Sequence, residues 1–154
     1  MAVNPIPDNY PRLAPYVAVK GADDAIAFYR DVFGFEQRGD VMRSPDGRVG
    51  HAELLLGDSV LMLADEWPEV GNLGPLTVGG SPVQLSIYVD DVDAVYDKAI
   101  AGGATSVRAP EDQFYGDRMA GVIDPFGHRW SLGSHIEDVD DDEMARRAQE
   151  MMGG

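Results

Sequence analysis

Cysteine is absent from the 154 residues. That removes disulfides and thiolate metal sites, and nothing in the chain needs an oxidising compartment. Basic residues are few: 12 Lys and Arg stand against 27 Asp and Glu, a formal charge of −15. A field of that sign repels phosphate backbones and argues against nucleic acid as a partner. It favours a cationic small molecule only weakly, because part of it sits in the terminal run Glu137-Asp138-Val139-Asp140-Asp141-Asp142-Glu143. No apolar run is long enough to cross a bilayer, and Met1-Ala2-Val3-Asn4-Pro5 lacks the basic-then-apolar layout of a signal peptide. No membrane partner is expected, and the expected location is the cytoplasm.

What the chain does contain is an internal repeat. Residues 19–26, Val19-Lys20-Gly21-Ala22-Asp23-Asp24-Ala25-Ile26, align with residues 89–96, and residues 57–63 align with residues 126–132. Few residues are identical, but the order of elements is the same: strand, helix, then strand-turn-strand. The length suits one core or two small half-cores.

In the first half, residues 13 to 19 read as a strand. Ala22, Ala25, Ile26, Tyr29, Val32 and Phe33 fall at helical spacing, and Gly34 supplies a left-handed cap. A strand near 35 to 42 leads to the turn Ser44-Pro45-Asp46-Gly47. Residues 48–56 and 59–64 then form a hairpin around Gly57-Asp58.

In the second half, residues 83–89 are a strand, Val92, Val95, Tyr96, Ala99 and Ile100 a helical stripe, and residues 106–109 a strand. Residues 110–118 read as an insertion, and residues 119–132 as a hairpin turning at Phe126-Gly127. The expected segments are an arm over 1–11, a first module over 12–66, a linking loop over 67–81, a second module over 82–135, and an acidic segment with a helix over 136–154. The linking loop holds Pro68, Pro75, Gly71, Gly74, Gly79 and Gly80 and is long enough to suggest a functional lid. Asp140 with Glu143 three residues on forms a capping-box pattern, and Met144, Ala148 and Met151 share one face of the helix that follows.

Two tandem βαβββ modules carrying Phe28-Tyr29 and Gly34-Phe35, then Val89-Asp90-Asp91-Val92-Asp93-Ala94 and Gly103-Ala104, and closing on Asp124-Pro125-Phe126-Gly127, resemble the vicinal oxygen chelate superfamily. The glyoxalase/bleomycin-resistance protein/dioxygenase branch is the nearest in appearance. The resemblance covers about residues 12 to 135. It implies an α+β fold in which curved mixed sheets cup a cavity, with helices outside, a C-terminal helix and a homodimer. It does not settle the activity, because the superfamily hosts isomerases, lyases, dioxygenases and silent antibiotic-sequestering proteins.

Metal-using members place His or Glu on the first and last strand of each module. The matching positions here are Ala14, Met62, Gln84 and Ser131. Ala and Met offer nothing to a hard divalent ion, and Gln and Ser are weak ligands. No metal or other cofactor is therefore expected. A rearranged centre would have to start from His51 and Glu53, with His128 and His135 having no evident geometry to join them.

Strand alternation then gives the cup lining: Ala14, Tyr16, Ala18, His51, Glu53, Leu55, Val60, Met62, Gln84, Ser86, Tyr88, Val122, Asp124, Arg129 and Ser131. Leu85, Ile87, Val89, Trp130 and Leu132 turn to the helices. Trp67, Phe114, Tyr115 and Arg118 join the candidate ligand-binding residues from loops, the aromatics to stack on a planar ligand and Arg118 to anchor a carboxylate or bond Asp124. An inward Glu53 needs a partner, either Arg118 or Arg129 as a structural pair or a ligand's cationic or hydroxyl group. Tyr16 and Tyr88 either touch ligand or fill a collapsed cup.

Two ligand-handling functions follow from this reading, beside a structural or regulatory subunit whose cup is filled. One is metal-independent binding of a planar or cationic organic molecule, in antibiotic sequestration or a biosynthetic accessory role. The other is lyase or isomerase chemistry, with an atypical metal centre or with His51 and Glu53 as an acid–base couple.

Overall fold

The computed structural model describes residues 2–153, and the chain divides into two compact units between Gly80 and Ser81. Each unit is built on an open, mixed, four-stranded sheet.

The first unit contains β1 (Tyr16–Val19), α1 (Ala22–Phe33), β2 (Glu36–Arg43), β3 (Val49–Leu56) and β4 (Ser59–Asp65), with sheet order β1-β4-β3-β2. β1 runs parallel to β4, and the other pairs are antiparallel. The helix forms where its apolar residues recur on one face: Ala22, Ala25, Ile26, Tyr29 and Phe33 are buried, as are Val17, Val19, Leu54, Leu61 and Leu63 of the sheet it packs on. Gly34 ends it at φ 85°, where a side chain would be strained, and its N–H donates to the Arg30 carbonyl. The stretch read as a linking loop holds a 3-10 turn over Pro68–Val70 and a short helix, α2 (Pro75–Val78).

The second unit repeats the plan with β5 (Gln84–Tyr88), α3 (Val92–Ala101), β6 (Thr105–Asp112), β7 (Asp117–Ile123) and β8 (Arg129–His135), in the order β5-β8-β7-β6, followed by α4 (Asp141–Gly153). β5 is parallel to β8. Asp124 fastens the β7–β8 turn: Oδ1 accepts from the N–H of Phe126 and His128, and Oδ2 accepts from Trp130 Nε1 at 2.7 Å. No helix among the described residues is long and apolar enough to cross a membrane.

Three expectations change. Residues 110–112 belong to β6, with Pro110 at a bulge on an edge strand where its missing N–H is tolerated, so the insertion shrinks to the turn 113–116. Val122 pairs with Trp130, whereas Gly121 pairs with Ser131 and Ile123 with Arg129. Val122 and Asp124 therefore lie with Trp130 on the helix side, not with the cup residues. The capping box is half formed: Asp140 accepts from the Glu143 N–H, but the Glu143 carboxylate turns to Arg146 and Arg147.

Gly116 shows how tightly the second unit's tail is tied down. Its φ is 92°, its carbonyl accepts from the N–H of Ile136 and Glu137, and a Cβ there would collide with the Glu137 carbonyl oxygen. Gly116→Ala is expected to lower unfolding free energy by about 1–3 kcal/mol or more, read by urea denaturation, with early loss of the α4 signal.

Candidate ligand-binding site

Register places the first unit's candidate residues. Tyr16 pairs with Met62, Met62 with Glu53, Glu53 with Arg38, and His51 with Met42. Paired residues point to the same side, so these six line one face, opposite the face that carries Val17, Val19, Leu61 and Leu63.

Glu53 is the centre of that face. Its side chain is 12% exposed and that of Arg38 is 25% exposed. Arg38 Nε donates to Oε1 at 2.9 Å, and Nη2 stands 2.8 Å from the same oxygen, off the hydrogen-bond direction. His51 Nε2 lies 2.8 Å from Oε2. The Tyr10 hydroxyl lies 2.9 Å from Oε1 and 2.8 Å from Oε2. Burial works against the charge, but the bonds from His51, Tyr10 and Arg38 outweigh it and hold the carboxyl at about 2.

An ionised carboxylate only accepts, so His51 Nε2 carries the proton. In the neutral ring Nδ1 is left as an acceptor, 3.4 Å from the Tyr16 hydroxyl, which itself donates to the Gly50 carbonyl at 3.1 Å. Glu53 thus takes Arg38, Tyr10 and His51 as its partners, in place of the expected Arg118 or Arg129.

The other candidates divide. Trp67 carries the Arg48 guanidinium 3.9 Å above its ring, so that ring face is already covered. Arg118 does not bond Asp124: it forks onto Asp93 of α3 at 2.9 and 3.0 Å and reaches Asp112 at 2.9 Å. Phe114 and Tyr115 meet edge to face at 5.3 Å, and the Phe114 carbonyl accepts from Arg147 of α4. In the second unit Gln84 pairs with Arg129, Ser86 with Ser131 and Tyr88 with Gly133, all on the sheet face away from Trp130 and Leu132.

A second polar cluster lies in this unit, and strand alternation points to Tyr88 alone of its members. The Tyr88 hydroxyl donates to Asp117 Oδ2 at 2.6 Å, His135 Nδ1 lies 2.7 Å from Asp117 Oδ1, and His135 Nε2 lies 2.7 Å from Asp138 Oδ1. Both imidazole nitrogens face carboxylates, which requires the protonated ring. Accordingly Asp117 first and Asp138 second raise the His135 pKa above its ordinary 6.5. Burial pushes the Asp117 pKa up, but Tyr88 and His135 bring it below the usual value. A shallow hollow of about 360 Å³ is lined by Tyr88, Val89, Asp90, Ser134 and His135.

Residues 11–132 match the family model of the Glyoxalase/Bleomycin resistance protein/Dioxygenase superfamily. The chain belongs to that superfamily. An uncharacterized protein of Mycobacterium bovis is similar to this superfamily member, 42% identical over 137 residues that span 87% of this chain and 90% of that protein. Among solved structures, TioX from Micromonospora sp. ML1 matches with a TM-score of 0.60 and 27% identity, over 82% of this chain and 99% of that one. TnmS3, an antibiotic binding protein from Streptomyces sp. CB03234, matches with a TM-score of 0.58 and 22% identity, over 88% of this chain and 98% of that one.

The positions that the resemblance assigns to the superfamily's metal ligands carry Ala14, Met62, Gln84 and Ser131, and among the described residues no group of three or more His, Cys, Asp or Glu is arranged to share a cation. At Glu53, the acid nearest those positions in the first unit's register, a guanidinium already stands 2.8 Å from Oε1 and would repel an incoming ion. The donor set does not fit a divalent metal.

Two pH effects follow. Glu53 has a depressed pKa, so its contribution to stability is present above the ordinary 4.5 and is lost as pH falls towards about 2. Acid titration of thermal stability is expected to show wild type losing its advantage over Glu53→Gln in that window. His135 has a raised pKa, so its contribution is full below 6.5 and fades as pH rises through the higher folded value. The melting-temperature gap between wild type and His135→Gln is expected to close towards alkaline pH; a gap that widens would contradict the geometry.

Proposed function

We propose that this chain is a metal-independent small-molecule-binding member of the superfamily, which takes an organic ligand onto the first unit's sheet face at Tyr16, His51, Glu53 and Met62. The observation that carries the reading is the state of Glu53. Its oxygens are bonded by Arg38, Tyr10 and His51, and its pKa of about 2 makes it a weak base at neutral pH. It serves as a fixed anion that orients neighbours. Around it the face offers Tyr16, 48% exposed, and Met42, 65% exposed, surfaces suited to a planar apolar ligand. Antibiotics are the first ligand class to test, because TnmS3 of the same fold is an antibiotic binding protein. Exposed Val83, Tyr88 and Val107 of the second unit support a homodimer as the working form.

The rival reading, a lyase or isomerase with His51 as its base, is favoured by one observation. Glu53 fixes the tautomer that presents Nδ1 as an acceptor. It requires turnover that survives EDTA and is lost in His51→Gln.

Thermal-shift screening and calorimetry with planar and cationic antibiotics test the binding reading. At least one compound is expected to raise the melting temperature saturably, and Tyr16→Ala is expected to weaken it about tenfold while the unliganded protein melts much as before. A flat response across such a panel would overturn the reading.

A further inference from the structure

The first unit's site already holds an aromatic ring of its own. The Tyr10 hydroxyl reaches both Glu53 oxygens, at 2.9 and 2.8 Å, and the Arg38 guanidinium carbon lies 4.2 Å from the centre of the Tyr10 ring. Among the described residues, the hydrogen bonds that leave the arm upstream of Arg12 come from Tyr10 and from the Asn9 carbonyl, which accepts from Arg38 at 2.8 Å. The rest of the arm is largely exposed, Val3 at 87%. One ring thus docks a segment that has little other anchorage.

The dock does not depend on Tyr10 for its shape. Arg38 and His51 hold Glu53 through their own bonds, and β2–β3 pairing sets Arg38 beside Glu53. The pair makes two demands of an occupant: an O–H donor for an ionised carboxylate, and a π-face for a guanidinium. A phenol meets both. An aliphatic alcohol meets only the first, and an unsubstituted arene only the second.

We propose that Glu53 and Arg38 form a subsite for hydroxylated aromatic rings, that Tyr10 is its built-in occupant, and that a phenolic ligand binds by displacing the N-terminal arm. The inference builds on the reading of this face as a small-molecule site and names the chemical group that the site selects. A tethered ring competes at high effective concentration, so the arm weakens the apparent affinity for any phenol and sets a threshold for occupancy.

The test is side-chain replacement from solution, with p-cresol as the probe and the full chain as the protein. Tyr10→Ala is expected to bind p-cresol at least tenfold more tightly than wild type does, and at least tenfold more tightly than it binds toluene, as followed by amide chemical shifts at residues 38 and 53. Adding Glu53→Gln to Tyr10→Ala is expected to abolish the preference for p-cresol over toluene. Tyr10→Phe keeps the ring and loses only the hydroxyl. It is read in the same way should Tyr10→Ala fail to unfold cooperatively, and p-cresol is expected to bind it more tightly than wild type. Equal p-cresol affinity for wild type and for these variants, or equal binding of toluene, overturns the proposal. If larger antibiotics bind wild type while p-cresol ignores Tyr10→Ala, this inference alone fails. If p-cresol binds as expected while no antibiotic binds wild type, the subsite stands and the antibiotic reading falls.

Discussion

In each unit the helix starts on a side chain from that unit's last strand. Asp65, ending β4, accepts from the Ala22 N–H at 2.8 Å and from the Val49 N–H at 2.7 Å. Ser134, near the end of β8, accepts from the Val92 N–H at 3.0 Å and donates to the Val89 carbonyl at 2.6 Å. The first turn of a helix leaves N–H groups without backbone partners, and Gly21 has no side chain to supply one. The last strand of each sheet in chain order therefore also seats the helix, and the parallel β1–β4 and β5–β8 pairings make this possible. Sheet register, helix position and which face remains uncovered are fixed together.

That uncovered face gives the first unit its chemistry. A carboxylate held among a guanidinium, a phenol and an imidazole is electrostatically satisfied, and its use is to hold its partners in place. A conventional general base needs a pKa near the working pH, and Glu53 is far below it. The tautomer of His51 set by Glu53 offers Nδ1, a basic nitrogen acceptor, and the binding and acid–base readings diverge at that residue.

Much of this was legible in the chain because it is local. The repeat, the Gly34 cap, the Ser44–Gly47 turn and the Asp124–Gly127 turn each rest on neighbouring residues. So does the shared face of His51, Glu53 and Met62, since the short turn at residues 57–58 fixes the phase of its hairpin, whereas Tyr16 joins it through the parallel β1–β4 pairing. The same reasoning misphased β7. The turn over residues 124–128 has an odd number of residues, which inverts the alternation relative to the first hairpin and sends Val122 and Asp124 to the helix side. Strand alternation couples His51 to Glu53, but it misses the other partners of Glu53 and those of Asp117 for another reason. Tyr10 lies 43 residues from Glu53 in an arm without periodicity, so no spacing rule joins them, and His135 faces Asp117 across the β7–β8 hairpin whose phase simple alternation misreads. Register supplies Arg38 for Glu53 and His135 for Asp117, once the β2–β3 and β7–β8 pairings are known.

An open sheet ends in rims whose unpaired backbone groups invite another chain to add itself. Here the antiparallel rims are the two longest edge strands, and neither is smooth. β2 reads Glu36-Gln37-Arg38-Gly39-Asp40-Val41-Met42-Arg43 and slips register twice, and β6 carries Arg108, Pro110, Glu111 and Asp112 across its own irregularities. Breaks and charges of this kind frustrate strand-by-strand growth. The same Arg38 that grips Glu53 is one of those rim charges, so a change there would reach colloidal behaviour as well as the ligand choice proposed for that face, tying solubility to the proposed recognition in a single side chain.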